Sequence, residues 1–216
     1  MHPAVLLIVL CCLYRVFAIV PRRKPASVQT TTKSLAVFLG SGGHTTEALK
    51  LVSALDFARY RPRTYIISEG DQFSLQKAVD LENSKATPTC SPVYSILTVP
   101  RARRVHQPLL TTPPTALRAL LSCIYYVAIA PPHGASLGDV LILNGPGTCF
   151  VLCIAVYMNK FLGLSAPRLI YIESFARVES LSLSGKLLRP FVDRFLVQWP
   201  QLAKKVKGAE FHGLLV

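Results

Sequence analysis

Acidic residues are scarce in this chain: 11 Asp and Glu stand against 24 Lys and Arg in 216 residues, a formal net charge of +13. No acid occurs from position 83 to 138, where the basic residues include Lys85, Arg101, Arg103, Arg104 and Arg118. An acid-free basic stretch favours an anionic surface, either nucleic acid or a phospholipid leaflet. Because its other residues are aliphatic and proline-rich, we expect a membrane and no nucleic acid. A solvated basic face is the alternative.

Paired cysteine motifs and glycosylation sequons are also missing. None of the six cysteines forms a C-x-x-C pair, and no Asn-x-Ser/Thr occurs. We therefore expect reduced core thiols in a chain that faces the cytosol, and no metal site.

The hydrophobic run at the N-terminus, residues 4–20, is short for a membrane span and is interrupted by Arg15. Its positive charges, at 22–24, follow the apolar run, whereas a cleaved signal peptide carries them before it. The positive-inside rule then predicts a single-pass anchor over 1–24, with the body in the cytosol and Arg15 reaching towards that side. A helix lying in one leaflet is the alternative. Residues 25–34, rich in Ser and Thr, read as a linker.

Two nucleotide-binding fingerprints are incomplete. The loop 40–44, GSGGH, has Thr45 where a dinucleotide site needs a third glycine, and Gly185-Lys186 lacks the earlier glycine of a Walker loop. The loop nevertheless follows an apolar run at 35–39 and precedes a helical pattern at 45–55. Glycines at a helix start favour an anion, and His44 adds a group that titrates near neutral pH. The pattern suggests chemistry on a phosphorylated substrate, although a plain tight turn gives the same residues.

Strand and helix patterns alternate along the rest of the chain. Predicted strands lie at 64–68, 93–99, 139–143, 168–172 and 195–197, and predicted helices at 71–83 and 149–161, with a buried or interfacial helix at 117–130. This alternation predicts an α/β fold, a doubly wound Rossmann-like parallel sheet over residues 35–208. Ligands of such sheets bind beyond the carboxyl ends of the strands. Three polar clusters are predicted there: 40–44, 144–148 and Glu173-Ser174.

Taken in order, five motifs resemble one known family. They are LGSGGHT at 39–45, NGPGTC at 144–149, YIESFARV at 171–178, LSLSGKL at 181–187 and VQWP at 197–200. The chain resembles the membrane-anchor, acceptor-side subunit of the eukaryotic UDP-N-acetylglucosamine transferase of dolichol-linked oligosaccharide synthesis.

The resemblance implies the N-terminal half of a GT-B glycosyltransferase, anchored on the cytosolic face of the endoplasmic reticulum (ER) membrane. A separate soluble subunit would bind UDP-GlcNAc, and the pair would add the second GlcNAc, in β1,4 linkage, to dolichyl-diphosphate-GlcNAc. The C-terminal tail, 209–216, would dock that partner through Leu214, Leu215 and Val216; a disordered tail or one packed on the core is the alternative. The length supports one such domain rather than two, which favours a half-enzyme.

Within this picture His44 is the candidate general base, with a phosphate contact or a structural role as the alternatives. Glu173 is a rival base, a group that orients His44, or a helix cap. The residues expected to bind the acceptor diphosphate are Ser41, Gly42, Gly43, Asn144, Gly145, Gly147 and Arg177. Neither a cofactor nor a divalent metal is expected, because helix dipoles and basic residues can stabilise a leaving diphosphate. The alternatives are a self-sufficient membrane-bound glycosyltransferase, a recruiting scaffold and, with least support, a nucleotide-dependent oxidoreductase that uses Glu69.

Overall fold

A six-stranded parallel sheet forms the centre of the protein. The computed structural model describes residues 3–21, 32–86, 93–103, 107–131, 136–145 and 147–215. The strands are β1 (Lys33–Leu39), β2 (Tyr60–Ser68), β3 (Tyr94–Val99), β4 (Val140–Asn144), β5 (Arg168–Ile172) and β6 (Arg194–Leu196). Their order is β3-β2-β1-β4-β5-β6, and every neighbouring pair is parallel. This is the doubly wound nucleotide-binding order, which confirms the predicted α/β class.

Helices follow most strands. They are α1 (Pro3–Ile19), α2 (Gly43–Ser53), α3 (Gln72–Lys85), α4 (Thr112–Ile124), α5 (Thr148–Leu162), α6 (Leu183–Leu188) and α7 (Pro200–Lys205). A 3₁₀ turn, Leu109–Thr111, precedes α4, and a π-helical turn, Tyr125–Ile129, continues it. The predicted 117–130 segment is therefore a helix that begins earlier than expected, at Thr112.

The helices cover both faces of the sheet. In β1, Leu35, Val37 and Leu39 pack with residues of α2 and α3, whereas Ala36 and Phe38 pack with residues of α4 and α5. All five side chains are buried. Burial on both faces explains why the strands of a parallel sheet appear in sequence as continuous apolar runs.

A buried charged group ties α3 to β2. Arg63 donates from Nε and Nη2 to the two carboxylate oxygens of Glu82, at 2.6 and 2.7 Å, and the Tyr65 hydroxyl donates to the same carboxylate at 2.6 Å. Burial raises the pKa of Tyr65, and its hydrogen bond to Glu82 adds to the shift. Each charge in this group therefore has a partner, as burial of ionised side chains requires.

The N-terminal helix lies against the end of α5. Arg15 donates from Nε to the carbonyl of Phe161 and from Nη2 to that of Lys160, each at 2.9 Å. The structure thus gives Arg15 a partner inside the protein, and its positive charge lies where a helix end is negative. In the part of the chain that the structure describes, no helix has both the length and the apolar character to cross a membrane. The single-pass anchor stays a prediction, and most of the predicted linker, 25–31, lies outside the described residues.

The cysteines of the sheet-and-helix core are buried, whereas those of the N-terminal helix are exposed. Cys123, Cys149 and Cys153 are free, buried thiols, as expected. Burial raises the pKa of Cys123 to about 12, so this thiol stays protonated. Cys11 and Cys12 are exposed on α1, so the expectation that all the cysteines lie in the core is wrong for these two. Cys90 lies outside the described residues.

Candidate functional site

Two glycine turns meet at the carboxyl ends of β1 and β4. These strands are neighbours, and Leu39 is paired with Asn144. A Cβ built on Gly145, whose φ is +131°, would lie 3.5 Å from the Cα of Gly40. A Cβ on Gly40 would lie 2.9 Å from the Cβ of His44 and 3.1 Å from the carbonyl oxygen of Asn144. Glycine at these two positions therefore lets the turns touch.

Each turn leads into a helix whose start is not capped by any side chain of the described residues. Gly42, with φ +68°, precedes α2, and Gly147 precedes α5. An added Cβ on Gly42, Gly43 or Gly147 would meet no neighbouring atom of the described residues within 4 Å, and these glycines are exposed, as is Ser41. The first N–H groups of a helix lack intrahelical acceptors, so both helix starts offer donors towards open space.

His44 is held by the end of β4. Its Nδ1 lies 2.8 Å from Oδ1 of Asn144, whose side chain is fully buried. His44 itself is half-buried, which leaves part of the ring accessible. The structure therefore brings together two residues predicted from separate motifs.

Glu47 joins this pair and was not predicted. It lies on α2, one turn after His44, and its Oε2 accepts a hydrogen bond from Nδ2 of Asn144 at 3.1 Å. Its Oε1 accepts a hydrogen bond from the Ser174 hydroxyl at 2.8 Å. Glu47 thus connects α2 with the ends of β4 and β5.

Glu173 has a different set of contacts. It is 1% exposed, and its Oε2 accepts hydrogen bonds from the backbone N–H and the hydroxyl of Ser182, each at 3.0 Å. Ser182 is the N-cap of α6, and a Cβ on Gly185 would collide with the Glu173 carboxylate. Among the described residues no hydrogen bond joins Glu173 to His44. The geometry therefore fits the alternative in which Glu173 caps a helix. Gly185, which is not part of a Walker loop, lets α6 approach the Glu173 carboxylate closely.

Two arginines of the basic stretch form ion pairs with acids near the carboxyl ends of β2 and β3. Arg118 on α4 lies 3.4 Å from Glu69, and Arg101, after β3, lies 4.0 Å from Asp71; both acids follow β2. A cavity of about 160 Å³ is lined by Glu69, Gly70, Pro100, Arg101, Thr115 and Arg118. Arg177 is exposed in the turn after β5, and its backbone N–H donates to the carbonyl of Ser174. Its side chain is thus in solvent rather than in the core.

The C-terminal tail runs beside β6. Glu210 exchanges backbone hydrogen bonds with Phe195 and Val197, at 2.8 and 2.9 Å. The Leu215 N–H donates to Oε1 of Gln198 at 3.1 Å, and its side chain packs against the core, whereas Leu214 is 61% exposed. Val216 lies outside the described residues. In the tail, Leu215 therefore packs on the core and Leu214 is exposed to solvent.

The family model and the curated relatives point to one family. The model of the family described as "Oligosaccharide biosynthesis protein Alg14 like" matches residues 35–215. UDP-N-acetylglucosamine transferase subunit ALG14 of Cryptococcus neoformans (strain JEC21) is 50% identical over 186 residues, 85% of this chain and 80% of the relative. The Schizosaccharomyces pombe protein of the same name is 51% identical over 183 residues, 85% of this chain and 83% of the relative. That of Rattus norvegicus is 37% identical over 217 residues, 99% of this chain and 94% of the relative.

Among solved structures, the crystal structure of Arabidopsis thaliana UGT89C1 complexed with quercetin aligns with a TM-score of 0.49 at 14% identity, over 78% of this chain and 44% of that chain. The family match extends across both glycine turns, and the curated relatives align over most of the chain. They confirm the resemblance seen in the sequence motifs. The chain belongs to the Alg14-like family of oligosaccharide biosynthesis proteins.

Proposed function

We propose that this chain is the acceptor-side subunit of a two-subunit UDP-GlcNAc transferase. It binds dolichyl-diphosphate-GlcNAc, and a soluble partner subunit binds UDP-GlcNAc. Together they add the second GlcNAc in β1,4 linkage. The observation that carries the proposal is the contact between the two glycine turns, which sets two uncapped helix starts side by side. Paired helix starts suit a diphosphate, because each offers backbone donors and a positive dipole end.

His44 is the proposed general base. It takes the proton from the 4-hydroxyl of the acceptor sugar as that oxygen forms a bond to C1 of the donor GlcNAc. The bond from C1 to the UDP oxygen breaks in the same displacement, and UDP leaves with the electron pair. The backbone donors of Gly42, Gly43 and Gly147 contact the acceptor diphosphate, and the exposed Arg177 supplies a cation for a phosphate.

The proposal treats this chain as one half of a GT-B enzyme. A GT-B enzyme has two doubly wound domains, and the described residues form one such sheet. In the proposed complex the partner supplies the donor-side domain, and we expect this chain to be inactive alone. The names of its relatives, which call each a subunit of a UDP-N-acetylglucosamine transferase, support this assignment.

We place the body of the protein on the cytosolic face of the ER membrane. Contact with the membrane is supported by two apolar surfaces. Large exposed side chains run along α1, among them Leu7 and Phe17. On α4 and the π-helical turn that continues it, every fourth residue is a large exposed apolar side chain: Leu117, Leu121, Tyr125 and Ile129. Such surfaces suit the acyl region of a leaflet. Flotation of the complex with liposomes should depend on residues 1–24, and flotation that survives their removal would refute this role for the segment.

The central test is transfer in detergent, on a dolichyl-diphosphate-GlcNAc analogue, with and without the soluble partner. We expect no turnover by this chain alone, and turnover by the complex that falls by about 100-fold in the His44→Ala variant, the scale of general-base catalysis. Exposed Lys50→Ala, on the same helix, is the control. Turnover by the isolated chain would favour the self-sufficient enzyme. Normal turnover by His44→Ala would remove the base role and favour the scaffold.

A further inference from the structure

Behind His44 lies a row of polar side chains that the proposed reaction leaves without a role. Glu47 receives one hydrogen bond on each carboxylate oxygen, from Asn144 and from Ser174. The Ser174 hydroxyl oxygen also accepts from the backbone N–H of Ala176 at 3.3 Å, so its proton is free to point at Glu47. All three side chains are buried or half-buried.

The direction of each hydrogen bond follows from what each group can donate. An ionised carboxylate only accepts, so Glu47 takes an N–H of the Asn144 amide. The amide oxygen of Asn144 must then face the other way, towards His44, 2.8 Å from its Nδ1. An amide oxygen also only accepts, so Nδ1 carries the proton. In a neutral imidazole with Nδ1 protonated, Nε2 holds the lone pair.

We propose that Glu47, acting through the amide of Asn144, is a positioning residue that holds neutral His44 as the Nδ1–H tautomer, with Nε2 as the nitrogen that accepts a proton. This inference deepens the proposed function, since a base needs its lone pair directed at the substrate. It explains why a carboxylate 97 residues from Asn144 in sequence meets its amide. It also assigns Ser174, after β5, the task of holding the second oxygen of Glu47.

The test is ¹⁵N NMR of the histidine ring nitrogens in the complex, with the His44 signals identified by their loss in His44→Ala. The unsubstituted protein should give a protonated Nδ1 and an unprotonated Nε2. The opposite pattern would overturn the proposal without any further variant.

Glu47→Gln has the same shape but can donate, so it lets the Asn144 amide turn over. We expect the tautomer signature of His44 to shift towards Nε2–H, and kcat to fall at least about tenfold, with the acceptor KM within about twofold. An unchanged tautomer would overturn the proposal.

The double variant Glu47→Gln/Asn144→Asp provides the rescue. It moves the carboxylate from position 47 to position 144. The carboxylate introduced at position 144 then accepts from Nδ1 of His44, and the amide introduced at position 47 donates to that carboxylate. We expect the Nδ1–H signature to return. A double variant that keeps the Nε2–H pattern would contradict the role of hydrogen-bond direction. Because the NMR signature is read without turnover, normal activity of His44→Ala would reject the base and leave the tautomer result intact.

Discussion

At the scale of single residues, Gly40 and Gly43 lie in the same loop but have opposite surroundings. A Cβ on Gly40 would press on His44 and on the backbone of Asn144, whereas one on Gly43 would enter open space at the start of α2. The first glycine is thus needed by the fold, and the second is needed only if a ligand comes close.

This contrast gives a paired prediction. Gly40→Ala should lower the free energy of unfolding by about 1–3 kcal/mol, the usual cost of overpacking. Gly43→Ala should leave it unchanged or slightly raised, because alanine suits a helix better than glycine, yet it should raise the acceptor KM. Denaturant unfolding and acceptor titration measure the two effects. If Gly43→Ala binds the acceptor normally, the diphosphate does not lie against that backbone.

The residues of the site were predictable to different degrees. His44 and Asn144 were found because each belongs to a glycine turn directly after an apolar strand. Glu47 was missed because its partners, Asn144 and Ser174, are distant in sequence, and a glutamate in a helix has no local pattern that marks it. For Glu173 the position at a strand end was visible, but its contact with Ser182 depends on how α6 folds back.

At the scale of elements, Arg15 of α1 makes two hydrogen bonds to the body of the protein. Replacing Arg15 with Gln removes the positive charge and the two atoms, Nε and Nη2, that donate to the end of α5, and leaves a shorter, neutral side chain. We expect faster deuterium uptake in residues 3–19 of the Arg15→Gln variant, with β1 unaffected, because charged hydrogen bonds of this kind contribute about 1.5–3 kcal/mol.

Arg103→Gln is the matched control for that measurement. Arg103 also donates two hydrogen bonds to a backbone carbonyl, that of Gln107, at 3.2 and 2.9 Å. Neither residue belongs to α1. Equal uptake across α1 in the two variants would show that Arg15 does not hold the helix in place.

Strands were more predictable than short helices. Apolar patterns identified all six strands, and β5 was predicted with its observed bounds. The helices α6 and α7 were not predicted, because six residues are too few for a periodic apolar pattern. The start of α4 was predicted five residues too late, although the prolines found there suit the first turn of a helix.

At the scale of the whole molecule, substitutions at the two leucines of the tail distinguish an effect on partner binding from an effect on folding. Leu214 is exposed, so Leu214→Ser should weaken co-purification with the soluble subunit and leave the thermal midpoint of this chain unchanged. Leu215 packs on the core, so Leu215→Ser should lower both. A pull-down with purified partner, paired with thermal unfolding of each variant, makes the measurement. Undiminished capture by Leu214→Ser would exclude that side chain from the interface.

The backbone pairing of Glu210 with Phe195 and Val197 also has a consequence for handling the protein. It covers the outer edge of β6, where an open strand would act as a template for another chain and promote aggregation. A truncation that ends at Gly213 keeps this cover, whereas one that removes Glu210 strips it away. Deletions that reach past position 210 would therefore report on insolubility, not on recognition of a partner.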